Sequence, residues 1–130
     1  MAAAATLDGM SQIPTRHAAA STRRSSEVRR VTDDAFAAEV LESGTPVLVD
    51  FTAAWCPPCR VMKPVLAELA AEREDVKIVQ LDVDADQRTA AEYGVLSMPT
   101  FILFKDGREV QRLVGARPKR RLEAELAPWI

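Results

Sequence analysis

Apolar residues recur along this chain at two periods, and the change from one to the other predicts its elements. Val28–Val31 reads as a short first strand. Thr32 or Asp33 then caps a helix over residues 35–41, with Phe36, Val40 and Leu41 on one face. Glu42-Ser43-Gly44-Thr45-Pro46 ends that helix with turn residues. Val47–Thr52 is an almost unbroken apolar run, the pattern of a central strand covered on both faces. From Cys59 to Arg73 the period becomes helical: Val61, Met62, Val65, Leu66 and Leu69 recur three and four residues apart. Pro64 lies inside this helix and predicts a kink, because it has no N–H to give the preceding turn. Val76–Asp82 is the next strand, Arg88–Tyr93 a short helix, and Gly94 its C-terminal cap. Thr100–Lys105 is a strong strand, Asp106-Gly107 a hairpin turn, and Glu109–Val114 the returning strand. Pro118 opens a last helix with Leu122, Leu126 and Trp129 facing inward, and Lys119-Arg120-Arg121 on its solvated face. The resulting order, β-α-β-α-β-α-β-β-α, is that of an α/β fold with a mixed sheet between helices.

Composition bounds this picture. A chain of 130 residues with 48% hydrophobic residues supports one domain with a real core. Net charge is −2, and the positive side is weighted to residues 1–24, where Arg16, Arg23 and Arg24 face only Asp8. The remainder carries no basic stripe, which argues against a nucleic-acid partner. No apolar run approaches the roughly 18 residues of a membrane span. Residues 1–24 hold no core-forming pattern and no apolar signal region, so they read as a disordered extension ahead of a domain at 25–130. Their Arg- and Ser-rich, acid-poor composition weakly resembles an organelle transit peptide, but the amphipathic periodicity is poor, and Met10 offers an alternative start.

The chemistry is concentrated in Trp55-Cys56-Pro57-Pro58-Cys59-Arg60, which follows the strand at 47–52 and opens the longest helix. It contains both cysteines of the chain. Two intervening residues at a helix start let two sulfurs meet, and the helix N-terminus offers free N–H groups and positive dipole to a thiolate on the first. That is the arrangement of a dithiol/disulfide redox centre. Zinc would need about four ligands, and the single histidine, His17, lies in the polar extension. A structural disulfide would close too short a loop to add much stability. Inert buried cysteines remain a third reading, against which the paired prolines favour a shaped, exposed turn.

From Val28 onward the chain resembles the thioredoxin family through several motifs in the expected order. Val47-Leu48-Val49-Asp50-Phe51 precedes Trp55-Cys56-x-x-Cys59, and Pro64 sits where the family kinks its active-site helix. Gly94-Val95 leads to Met98-Pro99-Thr100, the loop whose proline is cis in the family, followed by Phe104-Lys105-Asp106-Gly107 and Val114-Gly115-Ala116. Three positions depart from the common pattern. Pro57-Pro58 replaces Gly-Pro, a variant also found in plant h-type thioredoxins, tryparedoxins and nucleoredoxins. Thr52 stands where a second Trp is usual, and Gln80 where a Lys near the buried carboxylate is usual.

The resemblance implies a protein-disulfide reductase with no bound cofactor, reduced by NADPH through thioredoxin reductase and acting on disulfide-containing proteins. It further implies a cytoplasmic monomer, consistent with the sparse cysteines of a reducing compartment. Cys56 is the expected nucleophile, with its sulfur capping the helix by accepting the Cys59 N–H. Cys59 is the resolving thiol and the more buried of the two. Asp50, placed in an apolar strand, should have a raised pKa and take the Cys59 proton, the role that the family assigns it. A cis Pro99 would leave the Met98 backbone free to pair with an extended substrate. Trp55, Pro57, Met98, Gly115 and Ala116 would form the apolar docking surface, with Pro58 and Pro64 supporting it. Two alternatives remain, a dedicated redox relay for one partner and a binding module that docks its partner only when reduced.

Overall fold

The computed structural model describes residues 28–130. The expectation for residues 1–24 therefore falls outside the described part. The elements run β1 (Arg29–Arg30), a π-helical turn (Ala37–Leu41), β2 (Val47–Thr52), α1 (Pro57–Glu72), β3 (Lys77–Asp82), α2 (Gln87–Glu92), β4 (Thr100–Lys105), β5 (Arg108–Val114), α3 (Lys119–Leu126) and a 3₁₀ turn (Ala127–Trp129). The strands form one sheet in the order β1-β3-β2-β4-β5. β3 is parallel to both β1 and β2, whereas β4 is antiparallel to β2 and β5.

β2 lies at the centre, which explains its unbroken apolar run. Alternation along it divides its side chains between the two faces. Val47, Val49 and Phe51 enter a core with Val31, Phe36, Val40, Val79, Leu81, Ile102 and Phe104. Leu48 points the other way, into a core with Met62, Leu66 and Leu69 of α1 and Leu122 and Leu126 of α3. Asp50 and Thr52 share the parity of Leu48, so period-2 geometry alone turns Asp50 toward the active-site helix. Phe51, Phe101 and Phe104 are all fully covered, each contributing roughly 2–3 kcal/mol on burial. Phe36, Tyr93 and Phe104 meet as a tilted and edge-to-face trio that seats the π-helical turn on the sheet.

Five sequence expectations are corrected. Asp33 does not cap its own helix. Its carboxylate accepts the backbone N–H groups of Arg88 (3.1 Å) and Thr89 (2.9 Å), capping α2 from across the chain. The Asp33 N–H in turn donates to Asp86 Oδ1 (2.9 Å), and Thr32 Oγ1 takes the local role by accepting from Ala35 (3.3 Å). The helix expected at 35–41 is a single wide turn over Ala37–Leu41. Val61 belongs to the helical period but is exposed, because its flank of α1 faces away from the sheet. Pro118 precedes the last helix rather than opening it, with an extended ψ of 153°. Lys119, read as solvated, reaches Glu68 Oε1 (3.1 Å) and Glu72 Oε1 (2.8 Å) and ties α3 to α1. α1 itself is continuous through Pro64, whose missing N–H leaves the Arg60 carbonyl without its helical partner.

Candidate active site: a cysteine pair at a helix N-terminus

The turn from β2 into α1 sets the geometry of the cysteines. Cys56 has extended backbone (φ −95°, ψ 110°) and is the N-cap of α1, with Pro57 and Pro58 at the first two helical positions. Proline fits there because those N–H groups have no helical acceptor. The Cys56 Sγ accepts the Cys59 N–H at 3.3 Å, as a capping serine oxygen would. The two cysteines are joined as a disulfide with Cα atoms 5.3 Å apart. In this oxidised state they are equally covered, 2% and 1% exposed, so the expected difference in burial is absent. The neighbouring Trp55, by contrast, is 62% exposed.

Trp55 is held by its Nε1–H, which donates to Asp84 Oδ2 (2.8 Å) after β3. Across the cysteines, the Met98–Pro99 peptide bond is cis, as the resemblance implied. The Met98 carbonyl oxygen lies 3.5 Å from Cys56 Sγ. Gly115 continues the same wall: its N–H donates to the Pro99 carbonyl (2.8 Å). Its φ of +99° is a conformation for which glycine is the natural residue. Trp55, Pro57 and Ala116 are exposed, Met98 and Gly115 half-buried, and Pro99 buried. Of the six residues expected to dock substrate, Trp55 and Pro57 flank Cys56 in the chain, Met98 meets its sulfur, Pro99 follows Met98, and Gly115 bonds Pro99, with Ala116 next in the chain. Exposed Val114 extends the rim, and exposed Leu96 precedes the Met98 turn.

Asp50 lies on β2, 1% exposed, and its Oδ1 has no hydrogen-bond partner. Burial pushes its carboxyl pKa up to about 7, and the Lys63 ammonium partly opposes the shift. Lys63 is four residues after Cys59, hence on the same flank of α1. Gln80 is opposite Asp50 in the β2–β3 register. Cys59, Lys63, Gln80, Thr52 and Asp82 line a cleft of about 200 Å³ that opens toward solvent. The cleft links Cys59 to residues flanking the buried acid. Sequence reasoning missed Lys63, although its spacing from Cys59 was a usable signal. It also missed Asp84, whose separation of 29 residues from Trp55 left none.

Pro57 and Pro58 fix φ on one side of the small ring closed by the disulfide. We expect Pro57→Gly to shift the Cys56–Cys59 potential while insulin reduction persists, since flexible backbone loses more entropy on ring closure. Equilibrating both proteins with one reference thiol couple checks this. Indistinguishable potentials would remove any thermodynamic role for the first proline.

Comparison with known proteins agrees with the site. The thioredoxin family model matches residues 27–128. The chain is 52% identical over 99 residues to the thioredoxin of Mycobacterium bovis, covering 75% of this chain and 85% of that protein. It is 53% identical over 100 residues to the thioredoxin of Mycolicibacterium smegmatis, covering 75% and 89%. It is 45% identical over 104 residues to that of Porphyra purpurea, covering 79% and 97%.

Proposed function

The chain belongs to the thioredoxin family and is a thiol–disulfide oxidoreductase acting through Cys56 and Cys59, and we propose the following roles within that chemistry. Cys56, as thiolate, attacks one sulfur of a substrate disulfide, forming a mixed disulfide and expelling the other substrate sulfur as a thiolate. Cys59 then attacks Cys56 Sγ. Its proton passes toward Asp50, the second substrate thiolate departs, and the Cys56–Cys59 disulfide forms. Two electrons move from the dithiol to the substrate, so the protein must be re-reduced for the next turnover. The observation that carries this reading is the Cys56 sulfur at the N-cap, accepting the N–H of the residue that must later resolve it. The same N–H bond and the helix dipole stabilise negative charge on the sulfur.

Substrate lies as an extended segment against Met98, with Trp55, Pro57, Gly115 and Ala116 as the apolar floor and Pro99 holding the loop in shape. Reducing equivalents come from NADPH through thioredoxin reductase, and the protein works as a cytoplasmic monomer. Asp50, Cys56 and Cys59 need no bound cofactor for the exchange. The domain is residues 25–130, so deleting residues 1–24 should leave turnover and thermal midpoint unchanged. A large fall in midpoint would make that segment part of the fold.

Insulin reduction with dithiothreitol tests the reaction, and coupling to NADPH and thioredoxin reductase tests the electron source. Turnover with dithiothreitol but not with the reductase would identify a dedicated relay. Partner binding without turnover would identify a binding module.

A further inference from the structure

Arg117 is a buried arginine beside the docking surface, 8% exposed, and the disulfide exchange does not use it. Burying a guanidinium is costly unless its donors are satisfied. Here they converge on one loop. Nη2 donates to the Val114 carbonyl (2.7 Å) and Nε to the Gly115 carbonyl (3.2 Å). Nη1 donates to Glu125 Oε1 of α3 (2.6 Å). That bond holds the Glu125 carboxyl below its usual range, with Arg121 adding to the effect. The Arg117 backbone N–H meets Met62 Sδ of α1 at 3.5 Å.

We propose that Arg117 is a positioning residue that fixes the Val114-Gly115-Ala116 loop for substrate docking. The proposal rests on the reading of that loop as part of the docking surface. Gly115 carries no side chain and has positive φ, so nothing intrinsic holds it in place. Its two backbone groups are held from outside: its N–H by the Pro99 carbonyl (2.8 Å) and its carbonyl by Arg117. A continuous series of contacts follows, from Glu125 to Arg117, Gly115, Pro99 and Met98, whose carbonyl faces the Cys56 sulfur. The rigid fork of arginine is what allows one side chain to hold two successive carbonyls and a carboxylate. A loop fixed before binding loses less freedom when substrate arrives, and that saving appears in affinity.

The test uses the full chain and compares Arg117→Lys and Arg117→Leu with the parent. The assays are insulin reduction at fixed excess dithiothreitol and reaction with the small disulfide 5,5′-dithiobis(2-nitrobenzoate). The expected result is a KM for insulin raised about tenfold in Arg117→Leu and by less in Arg117→Lys, as pre-organisation is lost. In both variants kcat and the rate with the small disulfide stay within about twofold of the parent. A KM within twofold of the parent in both, with a lower thermal midpoint, would make Arg117 a purely structural residue and overturn the proposal. If Arg117→Leu does not fold, Arg117→Lys and Glu125→Gln carry the same comparison. Ala116→Glu tests the docking surface itself. If it leaves KM unchanged, the surface is misassigned and the proposal falls with it. If it raises KM while the Arg117 variants do not, only the role of Arg117 falls.

Discussion

Cys56→Ser is expected to abolish disulfide reduction, and Cys59→Ser to convert the protein into a trap. The first variant keeps the helix cap, because a serine oxygen can accept the Cys59 N–H that the sulfur accepts at 3.3 Å. It loses the nucleophile, since a hydroxyl is not ionised near neutral pH, and turnover should fall on the order of 10³-fold or more. The second variant retains attack and loses resolution. Substrate then stays joined to Cys56 as a mixed disulfide, visible as added mass that dithiothreitol removes. The two outcomes are asymmetric, so they test the assignment of roles. If Cys56→Ser captures substrate while Cys59→Ser does not, the roles are exchanged. Both residues are almost fully covered in the disulfide, so it is trapping that distinguishes them.

Much of this arrangement was legible in the sequence, and what was not legible has a common cause. β2 and β4 span the ranges that the sequence predicts, because a central strand between two cores shows as a nearly continuous apolar run. The hairpin turn was legible because Asp106 and Gly107 both adopt positive φ (53° and 79°), which few residue pairs tolerate. The cap at Cys56 was legible because all its parts lie within four residues. By contrast, Asp33 caps a helix that begins 54 residues later, and Trp55 bonds an aspartate 29 residues away. A polar side chain announces that it needs a partner, but not which one. Arg117 shows the same limit. In sequence it is one more basic residue ahead of Lys119-Arg120-Arg121, and only packing reveals it as buried and bonded to backbone. Val61 errs the other way: period shows which residues share a flank of a helix, but not how far around that helix the core extends.

Asp50→Asn should separate the catalytic and the stability roles of the buried acid by their pH dependence. The carboxyl is covered, one oxygen is unpartnered, and its pKa is raised from 3.8 to about 7. Below pH 4 it is protonated in both the folded and unfolded chains and costs the fold nothing extra. Between about pH 4 and 7 the unfolded chain releases the proton while the folded chain keeps it, so stability falls as pH rises. Above pH 7 the penalty is complete, and three pKa units amount to about 4 kcal/mol as an upper estimate. Asparagine does not titrate. It carries a roughly pH-independent cost for its buried amide, about 1–3 kcal/mol if unpaired. The variant should therefore gain on the parent from pH 4 to pH 8, by ~2–4 kcal/mol in the difference of unfolding free energies. Denaturant unfolding of both proteins at the two pH values measures it. A constant offset would show that Asp50 ionises normally in the folded protein. Activity should move in the opposite sense. The parent gains a proton acceptor as pH rises through about 7, so Asp50→Asn should be slower by roughly tenfold or more near neutral pH. Reduction of insulin across pH 6 to 9 should show the inflection near 7 in the parent and its loss in the variant. A variant that is more stable at pH 8 yet equally fast would confine Asp50 to a destabilising burial, with the Cys59 proton leaving through the cleft beside Lys63 instead.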